Sequence, residues 1–200
     1  MSLDLLAAFA AGYFIGGLPF AAYISRLLNK DIFSVGSGNM GSMNTARNIG
    51  WLPGIAVLVL DMGKGAMATT VGIEMANLSG GNPFVLALAA AVGAVIGHAW
   101  SPYVAFRGGK ALASAFGATL PVLPWVGPAA LVLLISLILL TRRANLGTIM
   151  TLVLFPFLTS AVLFRQAWPA DEILLSAIAT ALMGTASIIK HARAPKPPTI

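Results

Sequence analysis

Of the 200 residues, 58% are apolar and only 9% are charged, and the mean hydropathy is +0.89. An ordinary globular chain is roughly a quarter charged, so this one cannot cover a water-facing surface and reads as an all-α, polytopic membrane helical bundle. A net charge of +6 and a pI near 10.2 do not signal nucleic acid, because the basic residues fall between apolar runs rather than along one aromatic-lined stripe. The absence of cysteine removes disulfides, thiolate nucleophiles and Cys-based metal sites.

A membrane-crossing helix needs roughly 20 mostly apolar residues. In chain order the runs are 3–24, 53–74, 84–104, 111–124, 126–141, 148–165 and 172–190, which predicts about seven transmembrane helices in a single domain spanning 1–200. The first run lacks the preceding basic residues of a secretory signal and reads as a retained span. The fourth is short, and Pro121 and Pro124 break or end it, so a re-entrant helix is the alternative there. Gly12 and Gly16, and Gly93 and Gly97, form two GxxxG pairs, which predict close helix packing.

Charge sets the orientation. Arg26, Lys30 and Arg47 lie in the first loop, Arg107 and Lys110 in the third, Arg142 and Arg143 in the fifth, and Lys190, Arg193 and Lys196 in the tail. Ten of the twelve basic residues thus fall on one side, which the positive-inside rule makes cytoplasmic. An odd number of spans then places the N-terminus outside and the C-terminus inside.

Two of these cytoplasmic loops look built for phosphate. The first reads Gly36-Ser37-Gly38-Asn39-Met40-Gly41-Ser42-Met43-Asn44, with Arg47 three residues on. Its three glycines permit positive φ and inward-turned N–H groups, an anion-binding nest. Ser37, Asn39 and Asn44 add donors, and Arg47 adds a planar fork. The third loop ends Phe106-Arg107-Gly108-Gly109-Lys110, pairing an open backbone with a cation. It is no P-loop, since Val104 and Ala111 break GxxxxGK[ST]. Asp61 and Lys64, three apart in an apolar run, predict an ion pair bordering the polar cavity, with a structural and a substrate-binding role both open. The two histidines, His98 and His191, have no ligand partners nearby in sequence, so no metal site is expected.

The succession Gly-Ser-Gly-Asn-x-Gly-x-x-Asn-x-x-Arg (Gly36 to Arg47), Asp-x-x-Lys-Gly (Asp61 to Gly65) and Gly-His with Pro and Phe-x-Gly-Gly-Lys (Gly97 to Lys110) resembles the acyl-phosphate:glycerol-3-phosphate acyltransferase family of bacterial membranes. The resemblance implies a seven-helix, multi-pass enzyme of the cell membrane whose active site faces the cytoplasm. Its partners would be acyl phosphate, glycerol 3-phosphate and the bilayer, its products lysophosphatidic acid and phosphate, and it would need no cofactor. Ser37, Arg47, Lys110 and His191 stand where the family has functional residues. Gly36, Gly38, Asn39, Gly41, Asn44, Gly108, Gly109 and Asn145 would bind substrate. Against the family pattern, Ser42 and Met43 replace Ala-Thr, Ala111 replaces a glycine, Asn145 replaces a serine and Ala194 replaces an asparagine. A changed acceptor, lipid-phosphate binding without catalysis and small-solute transport are the other readings that this composition admits. His191 and a substrate phosphate are the two candidates for removing the hydroxyl proton.

Overall fold

The computed structural model describes residues 3–192, so Arg193, Ala194 and Lys196 lie outside the described residues. The helices are α1 (Leu3–Gly17), α2 (Phe20–Leu27), α3 (Ser42–Asn48), α4 (Trp51–Ser79), α5 (Pro83–Ala99), α6 (Leu112–Thr119), α7 (Val126–Thr141), α8 (Ala144–Arg165) and α9 (Ala170–Ala192). Among the described residues five stretches are long and apolar enough to cross a bilayer: Leu3–Leu27, Trp51–Ser79, Pro83–Val104, Ala144–Arg165 and Ala170–Ala192. Helix α7, at 16 residues, is shorter.

Two expected elements differ. The first run is not one helix: it breaks between Gly17 and Phe20, where Pro19 has no N–H to give and starts a second, short helix. The run 111–124 contains only the eight-residue α6, about 12 Å long at 1.5 Å per residue. It stops at Thr119, before Pro121 and Pro124, and turns complete the passage to α7.

The core is built on α5, the most enclosed of the long stretches. Its two GxxxG glycines face those of α1. A Cβ on Gly12 or Gly16 would collide with the carbonyls of Ala90 or Ala94, and one on Gly93 or Gly97 with those of Phe9 or Tyr13. The packing role expected of these glycines is therefore observed, and it is reciprocal. Asn82 caps α5 by accepting from the N–H groups of Phe84 (2.9 Å) and Val85 (3.2 Å), with Pro83 at the first helical position. Buried threonines return their hydroxyls to carbonyls, as when Thr69 donates to Ala118 O on α6 (2.9 Å). In an apolar surround every such group needs a partner.

The two ends of the bundle are distinct. The Phe84 ring packs on Trp168 at 5.1 Å between centroids, setting the start of α5 beside the α8–α9 connection. At the other end Lys190 Nζ donates to Phe106 O (3.4 Å) and stands 5.4 Å from the Trp100 ring, setting the end of α9 beside the segment that follows α5. Leu152 packs against Gly184, and Thr159 meets Thr180 at 3.3 Å, so α8 and α9 are antiparallel and Arg142 and Arg143 share the end that holds Lys190.

Candidate active site

The first loop is tied by one side chain. The Asn44 amide donates to the carbonyls of Asn39 (3.0 Å), Val35 (3.1 Å) and Ile32 (3.3 Å). Its Oδ1 accepts from Ser37 N (3.1 Å) and Asn48 Nδ2 (2.9 Å). Asn44 is thus fully engaged as the keystone of the loop, and so is the Ser37 N–H. Gly36 and Gly38 take positive φ (57° and 62°), which bends the chain around this amide. Gly41, expected to do the same, instead runs extended (φ −147°) and leads into α3, with nothing within 4 Å of a Cβ. Asn39 Nδ2 is buried without a hydrogen-bond partner.

The third loop differs from expectation in one respect. Gly108 and Gly109 are buried rather than open, and neither takes positive φ. They are glycines because of close approach. A Cβ on Gly108 would strike the carbonyls of His98 and Ala99, and one on Gly109 would strike Met40 O and the His98 ring. Gly109 N donates to His98 O (3.0 Å). The first and third loops therefore meet, with Met40 against Gly109. Arg107 strengthens the seam by lying 4.4 Å from the Phe33 ring.

At this seam stand the cations. Lys110 is half-buried and its amine is held below the usual lysine range, first by burial and then by the charge of Arg47. Arg47 projects from the exposed face of α3. His191, on the last turn of α9, feels the charge of Lys110, and both of its ring nitrogens are buried without hydrogen-bond partners. Ser37, Asn39, Arg47, Gly108, Gly109, Lys110 and His191 are brought to one end of the bundle. Asn145 is not joined to them: it is exposed on the first turn of α8, and no hydrogen bond ties it to the others among the described residues.

Beneath the seam lies a buried polar network that was only half expected. Lys64 Nζ donates to Asp61 Oδ1 (2.9 Å) and to Leu18 O (2.8 Å), with the Phe20 ring 5.7 Å away. At the broken end of α1, Leu18 O accepts from both Lys64 and the Phe20 N–H (3.2 Å), while Ser101 Oγ donates to Gly17 O at 2.6 Å. The ion pair is thus observed, with a structural partner at the helix break. His98 and Ser114 complete the network, with Ser114 Oγ 3.1 Å from His98 Nδ1 and Asp61 Oδ1 3.6 Å from the same nitrogen. Nothing in the sequence singles out Ser114, one small residue in an apolar stretch.

Ala111 carries a signal that the sequence held in plain view. Its φ is +60°, the left-handed region that glycine adopts at no steric cost, and it is the position where the resembled family has glycine. Among the described residues no three His, Asp or Glu side chains converge as metal ligands.

The family described as Glycerol-3-phosphate acyltransferase matches residues 6–196. A protein named Glycerol-3-phosphate acyltransferase 2 from Moorella thermoacetica is 35% identical over 178 residues, covering 88% of this chain and 87% of its own. One named Glycerol-3-phosphate acyltransferase from Shouchella clausii is 37% identical over 181 residues, covering 89% and 86%. The crystal structure of PlsY (YgiH), an integral membrane glycerol 3-phosphate acyltransferase in its glycerol 3-phosphate form, superposes with a TM-score of 0.73 at 26% identity, covering 94% of this chain and 88% of that one. The chain belongs to the glycerol-3-phosphate acyltransferase family of integral membrane enzymes.

Proposed function

We propose that the protein transfers a fatty acyl group from acyl phosphate to the 1-hydroxyl of glycerol 3-phosphate, releasing lysophosphatidic acid and phosphate. The observation that carries this reading is the convergence of Arg47 and Lys110 over two loops locked together at Met40 and Gly109. An acyl phosphate is a mixed anhydride, so its carbonyl is already activated and no covalent nucleophile is needed; positioning and charge neutralisation suffice. Two phosphates must approach each other, and two cations offset their repulsion. The glycerol oxygen forms a bond to the acyl carbon, the carbon–oxygen bond to phosphate breaks, and the hydroxyl proton passes to the departing phosphate. His191, with no carboxylate to orient it, serves to bind rather than to accept that proton. Ser37, Asn39 and the glycine arcs complete the pocket, and Asn44 acts through the shape of its loop. An apolar groove between α8 and α9, lined by Leu152, Phe157, Gly184 and Ile188 among others, ends three residues before His191 and suits the acyl chain.

In the same reading residues 1–200 form one membrane domain. It crosses seven times, with α6 and its following turns as the fourth passage, the N-terminus outside and the phosphate site at the cytoplasmic face. The gathering of Arg107, Lys110, Arg142, Arg143 and Lys190 at one end supports it.

The test is turnover of the purified protein with acyl phosphate and glycerol 3-phosphate, followed as lysophosphatidic acid. Lys110→Ala is expected to abolish transfer, by about 10²-fold or more, while His191→Ala keeps part of the rate. Wild-type turnover in the lysine variant would refute the scheme.

A further inference from the structure

His98 is a buried ring that the reaction above does not use. Its surroundings are unusually well determined. Ser114 Oγ lies 3.1 Å from Asp61 O, a carbonyl that can only accept, so the single hydroxyl proton of Ser114 is committed there. The 3.1 Å contact between Ser114 Oγ and His98 Nδ1 must then be donated by the ring. Asp61 Oδ1, 3.6 Å from the same nitrogen, favours a proton there as well. The proton of a neutral ring is therefore on Nδ1, and that edge is clamped to α4 and α6. The other edge bears on Gly109, whose N–H is tied to the carbonyl of the same histidine (3.0 Å). Lys110 is the next residue. The clamp extends downward as well, because Asp61 is held by Lys64 (2.9 Å) and Lys64 by Leu18 O (2.8 Å) at the broken end of α1.

We propose that His98 is a positioning residue for this site: gripped at Nδ1 by Ser114 and Asp61, it acts as a strut that seats the Gly108–Gly109 arc and so sets Lys110 against the substrate phosphate. The proposal rests on the acyltransferase reading for the identity of that phosphate. Geometry distinguishes a strut from a proton carrier. An asparagine amide overlays Nδ1 and can still donate to Ser114 but leaves the space against Gly109 empty, whereas a glutamine amide overlays Nε2 and reaches Gly109 but cannot donate to Ser114.

The experiment compares wild type, His98→Asn, His98→Gln and Ser114→Ala, as the full chain in detergent. Calorimetric titration with glycerol 3-phosphate, and separately with inorganic phosphate, reads binding without turnover; kcat and KM are measured alongside. His98→Asn, His98→Gln and Ser114→Ala are each expected to weaken phosphate binding and raise KM by about tenfold, with kcat changed much less. Loss of kcat with binding intact, or wild-type binding in any one of the three variants, would overturn the proposal. If the His98 variants fail to elute as a single species, Ser114→Ala, which removes one atom, decides alone: a wild-type KM or affinity refutes the strut. A wild type that binds phosphate but makes no lysophosphatidic acid would sink the acyltransferase reading and leave the binding comparison standing. A wild type that binds neither titrant would sink both.

Discussion

The two loops that meet at the candidate site are held in opposite ways. The first is closed on itself: Asn44, a neutral amide, ties the carbonyls of residues 32, 35 and 39 and the N–H of Ser37, all within twelve residues. The third is held from outside, by His98 and Ser114 resting on an ion pair between Asp61 and Lys64 that reaches Leu18. A self-tied loop can keep its form wherever it is set down. A loop braced by charge depends on three other helices being in place, and in return its lysine is fixed relative to the whole bundle.

That contrast predicts an order of damage. Lys64→Met strands the Asp61 carboxylate, and should cost about 3–5 kcal/mol, as breaking a buried pair does. Thermal unfolding in detergent would show it, and the double variant with Asp61→Asn should recover part of the loss. If Lys64→Met costs no more than a loop substitution, the bracing has been overstated. Next in size, Asn44→Ala removes several hydrogen bonds worth about 0.5–1.5 kcal/mol each. It should raise the KM for glycerol 3-phosphate about tenfold, read in steady-state turnover.

The lowered pKa of Lys110 gives a smaller, pH-dependent effect. Burial and Arg47 make it shed its proton at less alkaline pH than a free lysine. Affinity for a phosphate dianion should therefore hold at neutral pH and fall as pH rises through the lowered value. Stability of the unliganded protein should move the other way, because over that window the native state binds fewer protons than the unfolded chain. In Lys110→Arg the KM should stay flat across the same range. The smallest effect concerns Ala111, whose left-handed backbone costs about 1 kcal/mol relative to glycine. Ala111→Gly should stabilise by about 0.5–1 kcal/mol, less than the full relief because glycine also gains freedom when unfolded. A loss of stability would mean that α6 gains from the methyl group.

Much of this was legible in the sequence. Long apolar runs marked the crossing helices, the facing GxxxG pairs marked their tightest contact, and glycine with arginine marked the first loop, because each depends on neighbours in the chain. The break at Pro19 was missed because hydropathy continues smoothly through it. The burial of Gly108 and Gly109 was missed because a glycine that admits a neighbour reads the same as one that turns. Ser114 left no trace at all: its meaning comes from Asp61, 53 residues away, and from a ring on a third helix.

The interruption between α1 and α2 also bears on biogenesis. Gly17 O at that break finds its side-chain donor on Ser101, 84 residues further along the chain, while Leu18 O has a local donor in the Phe20 N–H besides Lys64. Until Ser101 is made, the nascent first segment holds an open acceptor that hydrocarbon cannot satisfy. The earliest helix is thus expected to settle fully only once the third long one lies beside it.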